Sequence, residues 1–141
     1  MTAAITAARL GHGVTLYGRQ ARAGRKLMAT GNGRCNLTNT GAAPANYHGE
    51  APAFVRPALE RFSPAEALDF FRGLGLLVRE EHGGRVYPPS NSANSVLDGL
   101  RQGLEAAGGC PAAGTRGREL RSSGPGSSYL TQNGATPTLA T

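Results

Sequence analysis

Thr-Ala-Ala-Ile-Thr-Ala-Ala-Arg-Leu (Thr2 to Leu10), Gly-His-Gly (Gly11 to Gly13) and Val-Thr-Leu-Tyr-Gly (Val14 to Gly18) open the chain. The first block is alanine-rich with Ile5 and Leu10 at helical spacing, and the glycines after it mark the stop. The third block is a short β-prone run. Helix, tight turn and strand in that order form the second half of a βαβ unit, where a parallel strand follows a crossover helix. This stretch sets the class as α/β. The helix starts at Met1, and the strand that should pair with Val14 to Tyr17 is expected to lie outside the chain.

Working outward, Gly24 to Thr40 is a polar, glycine-punctuated loop, and Gly41 to Pro52 is irregular surface. Phe54 to Arg61 is predicted helical. Ser63-Pro64-Ala65-Glu66 then supplies an N-cap, a proline at the first position and a glutamate three residues after the cap. Ala67, Leu68, Phe70 and Phe71 form the buried side of that helix. Leu76 to Arg79 and Arg85 to Tyr87 are predicted strands joined by the Gly83-Gly84 turn. Asn91 or Ser92 opens a last helix with Val96, Leu97, Leu100 and Leu104 inward. Gly99 and Gly103 each weaken it by about 1 kcal/mol relative to alanine. From Pro111 to Thr141 the apolar period is lost, and such a segment cannot offset its chain entropy, so it is predicted disordered.

Composition narrows the function classes. The 141 residues include 21 Gly, 9 Pro and no Trp, enough for one modest core. Net charge is +6, which favours anionic partners such as nucleotide phosphates without choosing among them. Arginine enrichment alongside alanine and glycine is also what GC-rich coding produces. Two cysteines, Cys35 and Cys110, make no disulfide framework, and a reduced cytoplasmic protein without signal peptide or membrane anchor is expected. His12, His48 and His82 have no metal-ligand spacing, so no metal site is expected. Glu80-Glu81 is expected to be a solvated strand end.

The segment richest in chemistry is Gly24 to Asn39. Gly31 and Gly33 let backbone N–H groups approach a ligand, and Arg25, Lys26 and Arg34 place positive charge beside them. Amide donors and cations both stabilise a phosphate or an electron-rich flavin ring. A surface turn with incidental arginines is the equal alternative on these residues alone.

Gly-Arg-Lys-Leu-Met-Ala-Thr-Gly-Asn-Gly-Arg-Cys-Asn-Leu-Thr-Asn, Gly24 to Asn39, resembles the signature of the BaiN-like NAD(P)/FAD-dependent oxidoreductases, the aminoacetone-oxidase-like flavoproteins. Gly84-Arg85-Val86-Tyr87-Pro88-Pro89-Ser90-Asn91-Ser92-Ala93 is similar to a second segment of that family. The resemblance runs from Met1 to about Gly109. It implies an incomplete Rossmann-type FAD-binding domain over residues 1–110, lacking its first strand, with helical segments and a disordered or frameshifted C-terminal tail over 111–141. It also implies a cofactor-binding set of Arg25, Lys26, Thr30, Gly31, Asn32, Gly33, Arg34, Cys35, Asn36, Arg85 and Ser90. FAD is the implied cofactor, with NAD(P)H as reductant and a small-molecule substrate; no catalytic residue is assigned. Cys35 is expected to pack beside the ring rather than act as a redox thiol.

Two departures from the family pattern follow. Met1 falls inside the helix that should come after the glycine-rich phosphate turn. The family's acidic residue at the end of the second strand, which binds the adenosine ribose hydroxyls, corresponds here to Gly18. Weak FAD binding and an oxidoreductase part with little activity of its own are therefore expected. The alternative is a non-enzymatic basic module that binds nucleotide or nucleic acid through Arg25, Lys26 and Arg34. Aromatics do not interleave with the arginines as a stacking surface would require, so neither nucleic acid nor membrane is the expected partner. The sequence sets no oligomeric state.

Overall fold

A computed structural model describes residues 1–115, 117–122 and 127–131, the last two segments through their backbone. The chain divides into two compact units, residues 1–25 with 100–141, and residues 26–99.

In the first unit, α1 (Thr2–Arg9) leads through Gly11 (φ 85°) into β1 (Thr15–Gly18). Ile5 and Ala8 are buried, whereas Leu10, expected beside Ile5, is 72% exposed because it caps the helix instead of continuing its apolar face. β1 pairs in parallel with β5 (Cys110–Ala113), Thr15 opposite Cys110 through Gly18 opposite Ala113. β5 is a second parallel neighbour, reached through a helix, and not the strand expected before α1; part of it, Pro111 to Ala113, falls where disorder was predicted. Cys-Pro-Ala-Ala carries almost no strand propensity of its own. Its extended form is imposed by the ladder, and Pro111 is tolerated as on an edge strand.

The sequence reaches β5 through α4 (Ala93–Ala106), whose Leu100 and Leu104 are buried in this unit. The turn that follows carries Gly108 at φ 81°, and the Gly109 N–H donates to Leu104 O at 2.9 Å. Any side chain at Gly109 would collide with the Leu104 side chain. Beyond β5, β6 (Gly117–Ser122) and β7 (Ser127–Thr131) form an antiparallel pair. The structure departs from the predicted disorder at β5, where the ladder holds Pro111 to Ala113 extended; residues 116, 123–126 and 132–141 lie outside the described residues.

The second unit is built on the antiparallel sheet β2-β4-β3, with β2 at Thr38–Asn39, β3 at Arg79–Glu81 and β4 at Arg85–Tyr87. β3 and β4 form the predicted hairpin, and Gly83 and Gly84 both take φ 75° in the turn. Asn39 locks that turn, its Nδ2 donating to Gly83 O at 2.7 Å. β3 begins later than Leu76. Leu76 still closes the preceding helix, its N–H donating to Phe71 O at 3.1 Å, and its side chain lies against Gly99 of α4.

α2 (Arg56–Arg61) is short and has no buried residue. α3 (Pro64–Arg72) is capped as expected: Glu66 N–H donates to Ser63 Oγ at 3.3 Å and Ser63 N–H to Glu66 Oε2 at 2.7 Å. The Ser63 backbone donor holds the Glu66 carboxyl below the ordinary carboxylate range. Leu68 is the buried residue of α3, and the rings of Phe70 and Phe71 meet edge to face at 5.5 Å. The core of this unit comprises Cys35, Leu68, Val86, Ala93, Val96 and Leu97, with Pro88 fully enclosed. Burying each large aliphatic side chain contributes about 1.5–3 kcal/mol.

Candidate functional site: the glycine-rich loop

Lys26 to Asn36 belongs to the second unit and is a pair of 3-10 turns broken in the middle. Gly31 (φ 54°, ψ 37°), Asn32 (φ 55°, ψ 41°), Gly33 (φ 83°) and Cys35 (φ 59°) all occupy the left-handed region. Glycine and asparagine adopt it readily; for cysteine it costs roughly 1–2 kcal/mol. Such strain persists only where surrounding contacts over-determine it.

Those contacts are visible. Cys35 N–H donates to Thr30 O at 3.1 Å, Arg34 N–H to Gly31 O at 3.1 Å, and Thr30 Oγ1 to Leu27 O at 2.7 Å. A Cβ on Gly31 would stand 2.9 Å from Asn36 N and 3.4 Å from the Tyr87 ring, so glycine is required by space as well as by φ. The Arg34 guanidinium lies 4.0 Å from the centroid of that ring, donates to Glu81 Oε1 and bonds Asn91 Oδ1 at 2.7 and 3.0 Å. Arg79 joins the cluster, 2.8 Å from the same Glu81 oxygen. Arg34, with help from Arg79, holds the Glu81 carboxyl below the ordinary carboxylate range.

The loop therefore closes around Tyr87 and is pinned from β3 and from Asn91. Glu81, expected to be a solvated strand end, is the anion of this cluster; its partner Arg34 is far away in sequence, so no local pattern disclosed the pair. Tyr87, part of the Gly84–Ala93 motif, is the platform on which Arg34 lies. Glu80 has a separate task, accepting from Thr40 Oγ1 at 2.9 Å.

Of the expected site residues, Lys26, Thr30, Gly31, Asn32 and Asn36 are exposed on this loop, Gly33 and Arg34 are half-buried and Cys35 is buried. Burial raises the Cys35 thiol pKa, with a hydrogen bond involving Thr30 opposing. A thiol kept protonated is a poor nucleophile. Arg85 is exposed on β4, and Ser90 is engaged with Ser95, Oγ to Oγ at 2.7 Å, and accepts from Ser92 N–H at 3.3 Å. Arg25 belongs to the other unit and contacts Gln20 Oε1 at 3.5 Å.

A parallel strand pair reached through a helix is the arrangement of a Rossmann-type α/β domain, and the glycine-rich loop with its left-handed run lies in the second unit. The chain belongs to the HI0933-like protein Rossmann domain family, whose profile matches residues 1–139. That match continues past Gly109, where the resemblance was expected to end. A 3-dehydro-bile acid delta(4,6)-reductase of Clostridium scindens is 49% identical over 81 residues, 57% of this chain and 20% of that protein. A ribosomal RNA dihydrouridine synthase of Haemophilus influenzae is 32% identical over 101 residues, 72% of this chain and 25% of the relative. The same enzyme of Escherichia coli is 32% identical over 94 residues, 67% of this chain and 23% of the relative. The chain thus spans a quarter or less of the length of each. Among the described residues no helix is long and apolar enough to cross a membrane.

The two ends of FAD fit these residues unequally. The Thr30–Asn36 loop exposes Thr30, Gly31, Asn32 and Asn36, while the space that a side chain at Gly31 would need is taken by Asn36 N and the Tyr87 ring. At the end of β1, Gly18 has no carboxylate for a ribose.

Proposed function

We propose that this chain is the flavin-contacting portion of an FAD-dependent oxidoreductase that takes electrons from NAD(P)H and reduces a carbon–carbon double bond of a small organic substrate. The observation that carries the reading is the left-handed run at Gly31, Asn32, Gly33 and Cys35, strained and pinned by Arg34 while Lys26, Thr30, Asn32 and Asn36 stay exposed. Family membership supports it, and so do the names of two relatives, a delta(4,6)-reductase and a dihydrouridine synthase.

The bound flavin supplies the redox chemistry. The protein's own residues orient and shield. Lys26 places positive charge where an anionic ring or a phosphate is stabilised, Asn36 and Thr30 offer hydrogen bonds to ring edges, and the Gly31–Gly33 turn lets the backbone approach. Cys35 fills space beneath the loop. FAD binding by the 141 residues is weak, because Gly18 provides no ribose acceptor.

Thermal melting with and without FAD tests this. An excess of FAD is expected to raise the melting temperature by roughly 2–4 °C, as partial occupancy allows. Lys26→Ala and Asn36→Ala should each abolish the rise without lowering the melting temperature of the free protein. A chain that takes up no flavin, or a rise that survives both substitutions, overturns the assignment.

A second reading has its own support. Two relatives are named for ribosomal RNA, and the chain is basic, so the reducible double bond would be that of a uracil in RNA. An affinity for RNA that falls steeply with salt would favour this substrate over a small molecule.

A further inference from the structure

The turn between β3 and β4 borders a cavity of about 400 Å³ whose lining includes no residue of the Lys26–Asn36 loop. Asn39, Gly41, Ala42, Asn46, Tyr47 and Gly83 surround it, all within the second unit. Asn36 and Asn39 are three residues apart along a segment that pairs with β4, roughly 10 Å at the rise of a strand. The cavity therefore lies at the far end of β2 from the glycine-rich loop. Its volume falls in the range of small-molecule sites, ~300–1,000 Å³.

No lining residue is charged, so an ionic ligand would find no counter-charge there. What the lining offers is direction. The Asn39 carboxamide is held at both ends, Nδ2 donating to Gly83 O at 2.7 Å and Oδ1 accepting from Gly41 N–H at 2.8 Å. Asn46 Oδ1 accepts from Ala43 N–H at 2.8 Å. Each amide is fixed and still has capacity: Asn46 keeps both Nδ2 hydrogens, and Asn39 keeps one hydrogen and one lone pair. Groups ordered before binding lose little freedom when a ligand arrives.

Tyr47 follows Asn46 directly and is 40% exposed, and its hydroxyl has no partner among the described residues. Gly41, Ala42 and Gly83 put little side chain into the space, and a Cβ at Gly83 would meet nothing within 4 Å. Fixed donors and an acceptor beside an aromatic face suit a flat, neutral ring that carries a carbonyl next to a ring N–H. A purely apolar ring would leave the carboxamides unpaired, and a ring with an amino group in place of the carbonyl would set donor against donor.

We propose that this cavity is a recognition site for the imide edge of a pyrimidine base, uracil or its nucleoside, with the ring on Tyr47, a ring carbonyl on Asn46 Nδ2 and the ring N–H on Asn39 Oδ1. Stacking on an aromatic side chain and pairing along the base edge are the means by which proteins read unpaired bases. The base arrives as a free nucleoside or as an unpaired residue of RNA, and only the second source rests on the RNA reading given above. Neither source needs a bound flavin.

Titration of the 141-residue protein with uridine, followed through its amide NMR signals, tests the proposal. The side-chain amides of Asn39 and Asn46 and the Gly83 amide should shift together. 3-Methyluridine, which lacks the ring N–H, and cytidine, which presents a donor where uridine has an acceptor, should each bind at least about fivefold more weakly. Tyr47→Ala should weaken uridine about tenfold, and Tyr47→Phe less. Asn46→Asp keeps an acceptor for Ala43 N–H but removes the donor, so it should abolish the uridine shift at Asn39 while the melting temperature stays near wild type. A uridine-rich RNA strand should compete with free uridine where a cytidine-rich strand does not. Uridine binding that neither strand displaces supports the site and removes the RNA reading alone. No shift with uridine, equal affinity for uridine and 3-methyluridine, shifts that survive both Tyr47→Ala and Asn46→Asp, or displacement by equimolar riboflavin would each overturn the proposal, the last by assigning the cavity to the imide of a flavin.

Discussion

The parallel pair β1–β5 and the antiparallel sheet β2-β4-β3 are both small, yet they are held by different means. β3 and β4 are joined by a glycine turn of their own, and β2 reaches them by Leu37 N–H to Val86 O and Thr40 N–H to Gly84 O, both 2.8 Å. β1 and β5 stand at opposite ends of the described core sequence, and their pairing depends on α4 delivering Cys110 to Val14 O at 2.9 Å. Local pairing tolerates weak packing because its loop entropy is small, whereas a long-range parallel pair needs a buried helix to hold it.

The largest expected effect breaks the long-range pair. Leu104 is 1% exposed and presses on Gly109 at the turn into β5. Leu104→Ala should cost about 2–5 kcal/mol, the usual range for a core leucine. Hydrogen exchange should show the amides of Thr15–Gly18 and Ala112–Ala113 losing protection while those of Val86 and Leu37 keep theirs. Equal loss in both sheets would mean that the chain unfolds as one cooperative body and that the contrast drawn above has no energetic content.

A smaller effect is expected at the cluster that pins the glycine-rich loop. Arg34 and Glu81 are 33% and 30% exposed, so solvent screens the pair. Arg34→Ala should cost about 1 kcal/mol, the sum of a screened ion pair and a stacked guanidinium. Its signature is faster exchange confined to Arg34 and Cys35 N–H. The pH dependence follows from the depressed folded pKa of Glu81, caused first by Arg34 and then by Arg79. Its contribution is complete above the unfolded carboxylate value near ~4.3 and is lost as pH falls through the folded value. Glu81→Gln should therefore flatten the acid limb of a urea-midpoint profile, and Arg34→Ala should flatten it similarly.

This contrast also explains what the sequence could disclose. Local signals were legible: the Ser63–Glu66 capping box, the Gly83-Gly84 hairpin and the inward Val96, Leu97, Leu100 and Leu104 all lie where their spacing predicts. β5 was not legible, because Cys-Pro-Ala-Ala becomes a strand only through a partner far away in the chain. The same holds for the site. The glycine loop was readable as a motif, but the Arg34–Glu81–Asn91–Tyr87 cluster joins residues from separate segments, and Glu81 beside Glu80 looked like a solvated end. Leu10 continues the helical period of α1 on paper, but the helix stops before it.

The smallest expected effect lies at Gly99, where two opposed terms meet inside α4. Alanine there gains about 1 kcal/mol of helix propensity over glycine. A Cβ would, however, stand 2.9 to 3.1 Å from three side-chain atoms of Leu76, closer than ordinary contact. Leu76 is half-buried and can move, so the collision costs less than the 1–3 kcal/mol typical of a rigid core. The terms nearly cancel, and Gly99→Ala should change stability by less than about 1 kcal/mol. The double variant Gly99→Ala with Leu76→Ala separates them. Relieved of the collision, the alanine at 99 should be stabilising when measured against Leu76→Ala alone. If the gain is the same with and without the Leu76 side chain, the contact between the connector after α3 and α4 does not exist in solution, and Gly99 is only a weak helix residue.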